Sequence, residues 1–134
     1  MSKKKPNILV VDDVGDWRIT MRGILQDEGY QVQVAETSPK ALAILEEQPF
    51  DLAVIDIRLD ETNEDDTEGI TLAKKIHKRW PHIKIIIITG YDTPGTLEEA
   101  MKPTPEGRLV HDYILKKDTD THLIPTIQRA LSES

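Results

Sequence analysis

Asp51-Leu52-Ala53-Val54-Ile55-Asp56 runs four apolar residues without a break into a single carboxylate, and an irregular acidic segment follows. A short continuous apolar run bounded by polar breakers predicts a strand buried on both faces, as in a parallel sheet. Such a strand delivers Asp56 to the carboxyl edge of the sheet, where open α/β folds place their ligands. What else arrives beside Asp56 decides the chemistry of that edge.

Outward from this strand, the chain alternates strand and helix. Asn7 to Val11 is apolar and ends at Asp12-Asp13. From about Asp16 to Glu28, Trp17, Met21, Ile24 and Leu25 fall at helical spacing, and Gly29 supplies the stop. Tyr30 to Ala35 alternates polar and apolar residues, the pattern of a strand nearer the sheet edge. Ser38-Pro39 predicts an N-cap followed by proline at the first helical position, opening a helix with Ala41, Leu42 and Leu45 on its apolar face. Downstream, a helix from about Thr67 to Arg79 buries Ile70, Ala73 and Ile76, and a strand from Ile83 to Ile88 ends at Thr89-Gly90. Pro94 to Lys102 has room for a short helix, closed off by Pro103 and Pro105. Leu109 to Leu115 predicts a fifth strand ending at Lys116-Lys117. A last helix follows from about Thr121, with Pro125 in its first turn.

Five strands alternating with helices imply an α/β fold: a parallel sheet covered on both faces, joined by right-handed crossovers. The flavodoxin-like order 2-1-3-4-5 is the natural small solution. In that order strands 1, 3, 4 and 5 end side by side, so Asp12, Asp13, Asp56, Thr89 and Lys116 meet at one edge.

Composition sets the frame. At 134 residues the chain is expected to form one domain, 1–134, with a basic tail over 1–5, an acidic extended loop over 57–68 and no output domain. There is no cysteine, so disulfides and thiolate chemistry are excluded. No apolar run reaches the length of a membrane span and no signal-peptide pattern precedes the first strand, so membrane insertion is not expected and a cytoplasmic location is. A net charge of −7 argues against nucleic acid as a direct partner. His77, His82, His111 and His122 show no metal-ligand spacing. Trp17 and Trp80 read as packing residues at helix–sheet margins.

The residue types at the shared edge define a chemistry. Three crowded carboxylates repel one another, and a divalent cation relieves that repulsion. Mg²⁺ takes hard oxygen ligands, commonly carboxylates with waters and substrate phosphate completing the shell. Asp56 then suits attack on a phosphoryl group, giving an acyl phosphate. The Lys116 ammonium and the Thr89 hydroxyl suit stabilisation of the transferring oxygens. Taken singly, each residue has a plainer reading: a strand-end Asp is commonly a turn or capping residue, one member of the Asp12-Asp13 pair can simply cap the next helix, and Tyr113 on an outer strand can simply pack.

With the acidic pair after strand 1, the lone Asp56 after strand 3, Thr89-Gly90 after strand 4 and Tyr113-x-x-Lys116 through strand 5, nearly the whole chain resembles a response-regulator receiver domain of two-component signalling (CheY-like). The resemblance implies that Asp56 is the phosphoacceptor and that Mg²⁺ is held by Asp12, Asp13, Asp56 and the backbone carbonyl of Arg58. It implies that Thr89 and Tyr113 are the switch residues and Lys116 the phosphate-pairing lysine. It also implies a histidine kinase or phosphotransfer protein as phosphoryl donor and a downstream protein target. On that pattern the domain catalyses its own phosphorylation and dephosphorylation but is regulatory in purpose. Two other function classes remain. A receiver-like interaction module acting without phosphorylation keeps the fold but not the chemistry. An aspartate-nucleophile phosphohydrolase of the haloacid-dehalogenase type needs a second Asp two residues after the first, and Arg58 stands there.

Three departures from the family pattern stand out. From Asp56 through Glu68 there are seven acids and one arginine, and Gly69 arrives about five residues late. Lys117 replaces the proline that usually follows the lysine, where a cis bond would cost about 2.5–4 kcal/mol. The segment from Thr93 to Arg108 is long and proline-rich. Arg58 and Tyr91, two residues beyond Asp56 and Thr89, are candidates for setting the lifetime of an acyl phosphate.

Overall fold

Apolar strands of this kind satisfy their backbone groups only by pairing, and the computed structural model pairs them in parallel. It describes residues 5–57, 68–90, 103–104 and 107–132. Among these, β1 (Asn7–Val11), β2 (Gln31–Ala35), β3 (Leu52–Asp56), β4 (Lys84–Thr89) and β7 (Asp112–Leu115) form one sheet in the order β2-β1-β3-β4-β7. All four pairings are parallel. This is the expected 2-1-3-4-5 arrangement. A second, two-stranded antiparallel pair, β5 (Pro103–Thr104) with β6 (Gly107–Arg108), precedes β7 and was not foreseen.

The strands sort their side chains with period two. Leu9, Val11, Ala53, Ile55, Ile85 and Ile87 pack with residues of α2 (Ser38–Glu47) and α3 (Glu68–Arg79). Ile8, Val10, Leu52, Val54, Ile86 and Ile88 pack with α1 (Gly15–Asp27) and the last helix, α4 (Thr119–Ser132). β3 is buried along its whole length, as its apolar run requires, while β2 keeps alternate residues exposed. Burial of a Val, Leu or Ile side chain stabilises by about 1.5–3 kcal/mol, so these two layers carry the fold.

Local signals explain most boundaries and correct some. Gly29 stops α1 at φ 93°, with its N–H donating to the Gln26 carbonyl and that of Tyr30 to the Leu25 carbonyl. The cap of α2 is Thr37, whose Oγ1 accepts from the Lys40 N–H; Ser38 is already in the first turn, one residue earlier than expected. β4 is shifted by one residue from expectation, to Lys84–Thr89. The fifth sheet strand is shorter than the apolar run suggested: Leu109 and Val110 are buried, but the chain meets β4 only where the His111 N–H donates to the Ile85 carbonyl. α4 begins at Thr119 after a 3₁₀ turn over Lys116–Asp118, so Pro125 lies in its second turn, deeper than expected. The described peptide bonds are all trans, including Lys116-Lys117. The expected helix over 94–102, and the greater part of the acidic loop with Arg58 and of the basic tail, lie outside the described residues, as does Tyr91.

Candidate functional site

Register brings the site together. Val11 is level with Ile55, so the next residues, Asp12 and Asp56, emerge side by side. Asp56 is level with Ile88 and Thr89 with Leu115, which sets Thr89 and Lys116 at the same edge. One carboxylate oxygen from each of Asp12, Asp13 and Asp56 lies within 4.8 Å of the other two. Asp12, Asp56, Thr89 and Lys116 are all buried, and Asp13 is half-buried.

Hydrogen bonds pin the chain at Asp12 and beside Asp56. The Asp12 N–H donates to the Ala35 carbonyl across β2, Asp12 Oδ1 accepts from the Val14 N–H at 2.9 Å, and the Asp12 carbonyl accepts from Arg18 Nη1 at 2.7 Å. Asp56 is fixed from both sides of its strand end. The Ile57 N–H donates to the Ile88 carbonyl, and the Gly69 N–H, at the start of α3, donates to the Ile57 carbonyl at 2.8 Å. A Cβ on Gly69 would stand only 1.9 Å from the Asp56 carbonyl oxygen, so glycine is required there by space. Gly69 therefore makes a tight contact at the base of Asp56, the phosphoacceptor candidate.

Lys116 closes the cluster. Its Nζ donates to Asp56 Oδ2 at 3.0 Å and forms an ion pair with Asp12 Oδ2 at 3.1 Å. The Thr119 hydroxyl donates to the Lys116 carbonyl at 2.8 Å, fastening the 3₁₀ turn that carries the lysine. Burial alone would lower the Lys116 pKa, but attraction to Asp56 and Asp12 outweighs it and leaves the pKa above the usual 10.5. Burial raises the Asp12 pKa above its ordinary 3.8, against the opposing pull of the Val14 N–H and Lys116. At separations within 4.8 Å, each ionised carboxylate pair repels by at least about 3.5 kcal/mol at an effective dielectric constant of about 20. Three carboxylates with hard oxygen donors facing one point fit a small divalent cation of the Mg²⁺ kind.

Tyr113 stands apart from this cluster. It lies on β7, level with Ile87, and is 44% exposed. It borders a cleft of about 280 Å³ shared with Leu115, Asp118, His122, Thr126 and Arg129. Three contributors escaped the sequence reading: Gly69 as a spacer, Thr119 as a brace, and Trp17, whose ring centroid lies 5.2 Å from Lys116 Nζ. Only Trp17 had a usable signal, since it sits one helical turn beyond Asp13 and helical side chains lean back toward the N-terminus.

Residues 8–128 match the family model described as Response regulator receiver domain. An NtrX-like response regulator of Rickettsia bellii is 36% identical over 124 residues, covering 92% of this chain and 24% of its own length. The transcriptional regulatory protein ZraR of Escherichia coli is 33% identical over 134 residues, covering all of this chain and 28% of its own. The chain thus spans about a quarter of the length of these relatives. Among solved structures, a CheY-like response regulator receiver domain protein from Methanospirillum hungatei superimposes with a TM-score of 0.82 at 32% identity, covering 97% of this chain and 96% of that one.

Proposed function

The chain belongs to the response regulator receiver domain family, and from that premise we propose that it accepts a phosphoryl group on Asp56 and relays that state to a protein partner. The observation that carries the proposal is the meeting of Asp12, Asp13 and Asp56 at one sheet edge, with Lys116 Nζ 3.0 Å from Asp56. In the proposed reaction an Asp56 carboxylate oxygen attacks phosphorus, the bond from phosphorus to the donor nitrogen breaks, and that nitrogen leaves as a histidine side chain. The product is a mixed anhydride on Asp56. Hydrolysis reverses the state: water attacks phosphorus, the anhydride bond breaks, and the carboxylate and inorganic phosphate are released.

Asp12, Asp13 and Asp56 would hold Mg²⁺, together with the Arg58 carbonyl that the family pattern adds. Bound there, the cation supplies Lewis-acid stabilisation of charge on the phosphoryl oxygens. Lys116 turns its ammonium from the carboxylates to a phosphoryl oxygen, and Thr89 donates its hydroxyl to another. Thr89 moving inward gives Tyr113 space to change rotamer, so that an outer strand reports the event. The phosphoryl source is a histidine kinase or phosphotransfer protein, and the reader is a downstream protein, in a cytoplasmic setting. The chain is proposed to act as one receiver unit.

Intact-mass measurement after incubation with acetyl phosphate tests the proposal. A Mg²⁺-dependent gain of one phosphoryl group, absent in Asp56→Asn, is expected. No gain from acetyl phosphate or from any histidine kinase, with Mg²⁺ bound, would instead identify an interaction module that acts without phosphorylation.

A further inference from the structure

Besides its two carboxylates, Lys116 has an aromatic neighbour. Trp17, in the first turn of α1, presents its ring with the centroid 5.2 Å from Lys116 Nζ, inside the range in which an aromatic face attracts a cation. The placement is built into the site. The Arg18 N–H donates to the Val14 carbonyl, the Val14 N–H to Asp12 Oδ1, and Arg18 Nη1 to the Asp12 carbonyl. The turn that carries Trp17 is therefore tied to the same residue that pairs with Lys116.

The two kinds of partner differ in what they require of the ammonium. Asp12 and Asp56 are also the residues a divalent cation would engage, and Asp56 supplies the attacking oxygen in the proposed phosphoryl transfer. A lysine held by those carboxylates alone would lose its restraints when they turn to other partners, and its long stem has much rotamer freedom to regain. The indole face attracts the ammonium through its quadrupole and engages no carboxylate. Resting on the phosphoacceptor reading above, we propose that Trp17 is a positioning residue for Lys116: it keeps the ammonium beside Asp56 when the carboxylates are otherwise engaged.

Trp17 also packs on the apolar layer of Ile8, Val10 and Met21, so a test must separate positioning from packing. The full chain is compared as wild type, Trp17→Phe and Trp17→Leu. In NMR spectra, the Lys116 Hε protons are ring-current shielded in wild type and in Trp17→Phe, and unshielded in Trp17→Leu. Phosphorylation by acetyl phosphate slows roughly threefold to tenfold in Trp17→Leu, the equivalent of one cation–π contact, and is restored in Trp17→Phe. Mg²⁺ affinity is the same in all three. The positioning role is overturned by unshielded Hε protons in wild type, by equal rates in wild type and Trp17→Leu, or by a Trp17→Leu chain that loses Mg²⁺ affinity in step with rate. A wild type that shows the shielding yet takes up no phosphoryl group sinks the phosphoacceptor reading, and the positioning role with it.

Discussion

Gly69→Ala is a one-methyl change whose effect follows from distances. The new Cβ would lie 1.9 Å from the Asp56 carbonyl oxygen and 2.8 Å from both the Asp56 carbonyl carbon and the Ile57 Cα. All three are backbone atoms, so no side chain can swing away. Either the start of α3 or the end of β3 must retreat by roughly 1 Å, and overpacking of this kind costs about 1–3 kcal/mol. The higher helix propensity of alanine returns at most about 1 kcal/mol, and less in a first turn. A net loss of about 1–2 kcal/mol would lower the urea midpoint by roughly 0.5–1 M for a chain of this size.

The larger consequence is chemical. A misplacement of about 1 Å at a reacting group can cost around 10²-fold in rate. Phosphorylation of Asp56 by acetyl phosphate should therefore fall much further than stability does. Gly23→Ala is the control, because a Cβ there meets nothing within 4 Å and the position is an exposed one inside α1. It should raise stability by about 1 kcal/mol and leave the phosphorylation rate unchanged. A Gly69→Ala chain that matches wild type in both urea midpoint and rate would refute the reasoning, since the close approach would then not exist.

Three further outcomes are expected. Lys116→Met leaves buried carboxylates without their cation and should destabilise the metal-free protein by about 3–5 kcal/mol in chemical denaturation at neutral pH, with part of the loss recovered on adding Mg²⁺. Its pH profile should change as well: the raised Lys116 pKa gives wild type a contribution fully present below 10.5 and lost as pH rises through the folded value, and the variant should lack that alkaline limb. Asp12 has a folded pKa above 3.8, so the folded state binds its proton more tightly than the unfolded state does. Stability should accordingly fall as pH rises from 3.8 through the folded value, and denaturation of Asp12→Asn across the same range should show a shallower fall. Finally, Mg²⁺ at about a hundred times its dissociation constant should stabilise wild type by about 2.7 kcal/mol, and a thermal shift that persists in Asp13→Ala would speak against the carboxylate cluster as the binding site.

What the sequence disclosed depended on the range of the interaction. Ile8 to Val11, Leu52 to Ile55 and Ile85 to Ile88 are unbroken apolar runs, and their burial on both faces leaves a parallel sheet as the consistent arrangement. Once the strands are ordered, the residue after each apolar run is at the site, which is why Asp12, Asp56, Thr89 and Lys116 were legible. Leu109 and Val110 misled because an apolar residue is equally at home in a buried loop, and only the His111–Ile85 hydrogen bond fixes where the strand begins. Thr37 and Ser38 are both competent caps, and the choice rests on backbone angles that no composition reveals. The Gly69 contact, the Thr119 brace and the Trp17–Lys116 pair escaped because each depends on how α1, α3 and the last turn settle on the sheet.

Charge balance at the sheet edge explains why these contacts matter together. Asp12, Asp13 and Asp56 bring three negative charges when ionised, and Lys116 offsets one of them. A divalent cation would offset the other two, leaving a neutral cluster in a buried place where net charge is costly. Phosphorylation of Asp56 exchanges its single charge for the two of a phosphoryl group, so one negative charge reappears. That charge would call for a further donor, and the buried Thr89 hydroxyl is at the same edge. The site is therefore balanced in one state and unbalanced in the other, and the imbalance is what would drive a change at β4 and β7. On the phosphoacceptor reading Lys116 would have to keep its position through that exchange while both of its carboxylate partners are redirected, and its contacts with Trp17 and through the Thr119 brace would then bear on function more than their small individual energies suggest.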